Sequence, residues 1–210
     1  MTDFLPLFPL PLVVFPGEQL NLHIFEPRYK QLVREAEQNG TTFGIPAFID
    51  EQVMEVGTEI RLLSIEKQHD HRKKEMRTEG IQPFRILEFY RQAPNKLYAG
   101  ADIRREENRD GGDPIVVVKI LELAADLFEL LNVNKKLPVP EQFYAFDIAH
   151  HVGFSLQQEY AFLCLPDETQ RQAFMLEHLE RMLPAAREME RLRERARMNG
   201  HFKNIIPPRL

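Results

Sequence analysis

Asp110-Gly111-Gly112-Asp113-Pro114 divides the chain into two parts with different hydrophobic periods. The paired glycines make a joint, and Asp113 before Pro114 reads as a helix N-cap followed by the first helical position. Downstream, Ile120, Leu123, Ala124, Leu127 and Leu131 recur at helical spacing. Residues 141–152 predict a short helix closed by Gly153, and Ser155-x-x-Gln158 is a capping box for another. Asp167-x-x-Gln170 opens a run to Met198, with Pro184 expected to kink it because its ring clashes with the preceding turn. Asn199-Gly200 ends that run.

Upstream of the joint the runs are short, alternating or β-branched, and bounded by turn residues. They fall at residues 10–15, 43–49, 59–67, 76–79, 84–90 and 97–103. Short strands at this spacing predict a small curled sheet or barrel. One helix interrupts them: Pro27 suits its first position, Tyr29, Leu32, Val33 and Ala36 form its apolar stripe, and Asn39-Gly40 stops it. The expected fold class is therefore α+β. A barrel subdomain with one helix spans 1–110, a helical subdomain ending in a long helix spans 114–200, and a tail follows at 201–210.

Composition limits what such a fold is for. The 210 residues are 43% hydrophobic and 28% charged, an ordinary globular balance at a length that removes about 70% of the unfolded surface from water. A net charge of −5 gives no general attraction to phosphate backbones or anionic lipid. The apolar stretches are too short to span a bilayer, and Met1-Thr2-Asp3-Phe4 lacks the basic start of a secretion signal. Cys164 has no second cysteine to pair with. A cytoplasmic protein without membrane partners is expected. No glycine precedes a lysine, so there is no Walker loop; G-x-S-x-G and G-x-G-x-x-G are missing too.

The barrel half carries an ordered set of prolines, glycine and aromatics: Leu5-Pro6-Leu7-Phe8-Pro9-Leu10, Phe15-Pro16-Gly17, His23-Ile24-Phe25-Glu26-Pro27-Arg28-Tyr29 and Phe43-Gly44-Ile45. Gly80, Pro83-Phe84-Arg85-Ile86-Leu87, Tyr98-Ala99-Gly100-Ala101, residues 143–152 and Met198-Asn199-Gly200-His201-Phe202 extend it. This set resembles the N-terminal domain family of the Lon proteases. The resemblance implies a PUA-like β-barrel followed by helices, associated with substrate recognition and assembly. The ATPase and Ser–Lys proteolytic modules are not in this sequence, which implies a stand-alone, bacterial-type, non-catalytic domain without a cofactor. Its partners would be unfolded or apolar protein segments, in the service of a protease or chaperone system.

His23, Glu26, Arg28 and Tyr29 are the candidate binding residues. A helix start accounts for them as well: Glu26 puts negative charge at a helix N-terminus, Arg28 can pair with it, and Tyr29 lies on the apolar stripe. On the second reading Arg28 and its neighbours line a groove for bound peptide.

The remaining polar groups read as structural. His69-x-His71 sits in a basic hairpin tip and lacks the further ligands of a zinc site. His150 reads as a surface cap and His151 as partly buried, the two diverging by about 100° round a helix. Cys164 sits among apolar neighbours as a small core residue, and Ser155 is a cap. Glu106, Glu107 and residues 110–113 fall in a solvated linker. Lys67, Arg72, Lys73, Lys74 and Arg77 form a local basic patch, the basis of an alternative reading as a PUA-like RNA-binding protein. Interspersed Glu66, Asp70, Glu75 and Glu79 dilute it, so nucleic acid is the less favoured partner.

Overall fold

A computed structural model of the chain describes residues 3–67, 74–109 and 111–201. The β part comprises β1 (Asp3–Leu7), β2 (Gln19–Ile24), β3 (Phe43–Ile49), β4 (Gln52–Lys67), β5 (Lys74–Tyr90) and β6 (Ala99–Arg105), with α1 (Pro27–Asn39) between β2 and β3. Strands β5-β4-β3-β1-β6 close on themselves through a β5–β6 pairing, and β2 adds to the first half of β5. Every pairing is antiparallel except β1–β3. The result is a five-stranded mixed barrel with a sixth strand laid on it. Closure satisfies the backbone groups that an open sheet leaves at its edges.

Two sequence expectations need correction here. Residues 10–15 are not a strand; the strand is β1, and the 10–15 segment is irregular with Val13, Val14 and Phe15 buried. Pro9 and Pro11 have no N–H to give a ladder, so this run is held by packing rather than pairing. The runs 76–79 and 84–90 are one strand, β5. Pro83 sits opposite Thr58 beside a register shift at Glu59/Ile60, the kind of irregularity where a strand tolerates proline. Gly80 explains how β5 passes the 10–15 segment: a Cβ there would stand 2.3 Å from the Phe15 carbonyl oxygen.

The α-helices begin where the punctuation places them, but the last runs through Asn199-Gly200 to His201 and does not stop there. The Asp113 side chain accepts from the Ile115 N–H to start α2 (Pro114–Leu131), and Gly40 closes α1 in the left-handed region. Ser155 and Gln158 cap α3 (Leu156–Leu163) reciprocally. At α4 (Glu168–His201) Asp167 caps through the Gln170 N–H, but the Gln170 amide bonds the Asp167 carboxylate instead of completing a box. The expected helix at 141–152 is instead two 3-10 turns, Pro140–Gln142 and Ala145–His151.

One apolar cluster joins the two parts: Val13, Phe15, Ala47 and Val56 of the barrel pack with Phe146, Phe162, Leu179 and Leu183. Phe15 stacks on Phe146 at 5.1 Å and meets Phe162 edge-on at 5.9 Å, geometries aromatic quadrupoles favour. Arg109 exchanges backbone hydrogen bonds with Pro166 and Glu168, stitching the linker to the start of α4. Among the described residues no helix is long and apolar enough to cross a membrane.

Candidate functional site

The strand–turn–helix corner at 22–29 forms one wall of a cleft of about 540 Å³, and all four candidate residues line it. Alternation along β2 buries Leu22 and Ile24 and turns His23 outward, where its Nδ1 lies 3.4 Å from Glu75 of β5. Glu26 is the N-cap of α1 with extended backbone, yet its side chain does not cap. It accepts from Arg28 Nε at 2.8 Å instead. The Arg28 guanidinium covers the Tyr29 ring at 4.5 Å, and the Phe8 ring packs against the same tyrosine, 3.8 Å away between centroids. Burial pushes the Tyr29 phenol up, away from ionisation, outweighing the opposing pull of Arg28. Helix start, ion pair and core tyrosine are thus all present, and the same residues also face a groove.

The opposite wall was not foreseen. Phe48, at the end of β3, and Phe89, near the end of β5, project into the cleft and leave 38% and 37% of their surface in water. Phe25, between strand and helix, is 68% exposed. Phe8, Leu22 and Ile24 form the apolar floor. Phe48 is the single exposed position in a strand whose other residues are buried, a distinction invisible in Phe43-Gly44-Ile45-Pro46-Ala47-Phe48-Ile49. Phe48, Val53, Phe89 and Arg91 also line an adjoining cleft that runs on toward Leu87. The cleft opens on the barrel itself.

At the barrel–helix junction a second cleft of about 660 Å³ has a more polar lining than the first. There His150 is held between Glu159 (Nδ1, 2.7 Å) and Glu18 (Nε2, 3.1 Å), which makes it a clasp between the parts and not a surface cap. Burial disfavours its charge, but the two carboxylates outweigh it and raise its pKa to about 9. His151 is partly buried with Nδ1 unpartnered, and burial lowers its pKa. Cys164 is partly buried against the shared core, and burial pushes its thiol up. Glu106 is not merely solvated: it bridges Arg85 and Arg104 at 3.0 Å each. Among the described residues no group of three or more His, Cys, Asp or Glu is placed to hold a metal ion. His69, His71, and Arg72 and Lys73 of the basic patch lie outside the described residues.

A closed barrel with an added strand, an apolar cleft and a helical body sharing its core define a recognition domain of the type found in Lon N-termini. The family model for the ATP-dependent protease La (LON) substrate-binding domain matches residues 4–181, and the chain belongs to that family. The crystal structure of a Lon N-terminal domain protein from Xanthomonas campestris superposes with a TM-score of 0.67 at 26% identity, covering 83% of this chain and 98% of that one. The N-terminal domain of the Mycobacterium avium complex Lon protease shares the fold with a TM-score of 0.63 at 12% identity, covering 85% and 98%. Among curated proteins none matches in sequence.

Proposed function

We propose that the chain is a non-catalytic recognition module that holds apolar, unfolded protein segments in the barrel cleft, with His23, Glu26, Arg28 and Tyr29 along one wall. The observation that carries this reading is the ring of exposed Phe25, Phe48 and Phe89 over an apolar floor. Exposed apolar surface gathered in a concavity and rimmed by polar groups is the usual mark of a docking site. Burying one such phenylalanine in a complex is worth about 2 kcal/mol before the costs of association, so two or three anchors give modest, sequence-tolerant affinity. Membership of a substrate-binding domain family supports a protein as the ligand.

The lining gives little to chemistry. It holds no serine, threonine, cysteine or lysine, and three of its charged or titratable side chains are paired: His23 with Glu75, and Glu26 with Arg28. The test is fluorescence anisotropy with a dye-labelled apolar peptide and with reduced, unfolded casein. Binding should weaken by at least about thirtyfold in Phe48→Ser/Phe89→Ser, the loss expected for one anchor of about 2 kcal/mol, and by more where both are lost. A single-stranded RNA oligonucleotide is the counter-probe for the alternative reading, and the casein should stay intact with or without ATP. Retention of RNA at the expense of peptide, or cleavage of casein, would overturn the proposal.

A further inference from the structure

The apolar stripe of α4 changes face partway along the helix. Up to Ala186 it points into the shared core through Met175, Leu179, Leu183 and Ala186, all buried. Continuing that face leads to Glu190 and Arg193, which are charged and pair with each other at 3.2 Å. The apolar residues beyond lie elsewhere. Ala185, Met189, Leu192 and Ala196 follow a 4-3-4 spacing and define a second stripe, turned from the first by roughly 100° at 100° per residue. All four are exposed, Met189 by 66% and Leu192 by 54%. This alternation is the a/d repeat of a two-stranded coiled coil.

Charges flank the stripe on the side away from the core. Glu188 and Arg195 occupy that flank, seven residues apart. Glu188 has only a 3.7 Å contact with Arg191, and Arg195 makes no ion pair among the described residues. Laid antiparallel on a copy of itself, the stripe aligns Ala185 with Ala196 of the second copy and Met189 with its Leu192. Glu188 then faces Arg195 of the other copy, twice by symmetry, whereas unlike sequences would have no reason to match this order of signs. Antiparallel pairing also sends the two barrels to opposite ends.

We infer that the 185–196 segment of α4 is a self-association surface whose occupant is a second copy of this chain. The overlap is about 18 Å long. It buries less than a standard interface, so the dimer is weak and concentration-dependent.

Sedimentation equilibrium of the whole chain, from low micromolar to several hundred micromolar, tests it. The wild type should shift from monomer to dimer over this range. Met189→Asp/Leu192→Asp should remain monomeric with unchanged circular dichroism, since both side chains are exposed. Glu188→Arg should weaken association by roughly tenfold, and adding Arg195→Glu should restore it. A monomeric wild type at the highest concentration, dimerisation untouched by the Met189/Leu192 pair, or failure of the second charge reversal to rescue the first would overturn the inference.

Discussion

Arg105 of β6 grips Glu59 of β4 with two parallel hydrogen bonds, Nε to one carboxylate oxygen at 2.7 Å and Nη2 to the other at 2.9 Å. The two strands are not neighbours in the barrel, so this fork ties β4 and β6 across the wall formed by β5. Thr42 at 2.6 Å and Gln82 at 3.0 Å complete the shell of a carboxylate that is almost fully buried. Burial opposes the charge, yet the hydrogen bonds and the guanidinium outweigh it and hold Glu59 at about 2. Because its pKa falls on folding, its contribution is complete above the unfolded value near 4.5 and is lost as pH drops toward 2, about 3 kcal/mol in all. Acid titration of stability should therefore show a loss between pH 4.5 and 2 that is missing in Glu59→Gln; coincident wild-type and variant slopes would contradict this. Arg105→Ala should cost about 2–4 kcal/mol by leaving that charge unpaired.

His150 works in the opposite direction. Its pKa rises on folding to about 9, so the clasp with Glu18 and Glu159 is fully stabilising below pH 6.5 and fades as pH climbs through 9. Thermal melts between pH 6 and 10 should show a decline that Glu18→Gln reduces, and ring-proton NMR should place the His150 midpoint well above that of an ordinary histidine. A midpoint near 6.5 would contradict the clasp.

Glu168 and Arg171, both almost fully buried at the start of α4, bond at 2.9 Å. Glu168 also accepts from the Ala145 N–H at 2.8 Å, and Arg171 donates to the Leu165 carbonyl while lying 4.5 Å over Phe146. Removing one partner strands the other charge away from water. Glu168→Ala should lower stability in urea by about 3–5 kcal/mol, and Glu168→Leu/Arg171→Met should recover a large part of it.

Gly80 tests a close backbone crossing in the barrel. The residue donates to the Glu18 carbonyl at 2.9 Å and accepts from the Gly17 N–H at 2.8 Å, with the Phe15 carbonyl where a side chain would begin. Gly80→Ala should cost about 2–3 kcal/mol, since backbone and not a flexible side chain must yield. Unchanged denaturant midpoints would show that the 10–15 segment is not packed there.

The helices were legible because single residues mark their ends: Pro27 and Gly40 for α1, Asp113 and Pro114 for α2, Ser155 for α3. The barrel as a class was legible from its short strands and turns, and from the Lon-like motif set. Its strand bounds were not. β2 carries the outward Asn21 and His23 between Leu20, Leu22 and Ile24, a pattern too short to stand out beside the more apolar 10–15 run. Of the cleft, the 23–29 wall could be named because it is contiguous. Phe48 and Phe89 reach it only through the register of β3 with β4 and the curl of β5, long-range facts with no local signal.

The central claim is that this cleft receives polypeptide, and photo-cross-linking addresses it most directly. An apolar peptide bearing a photoreactive phenylalanine analogue, irradiated with the whole chain and mapped by mass spectrometry, should mark the Phe8–Pro11 segment, the 23–29 corner and the strand ends at Phe48 and Phe89. Cross-links confined to the helical body, or scattered without competition from unlabelled peptide, would contradict it.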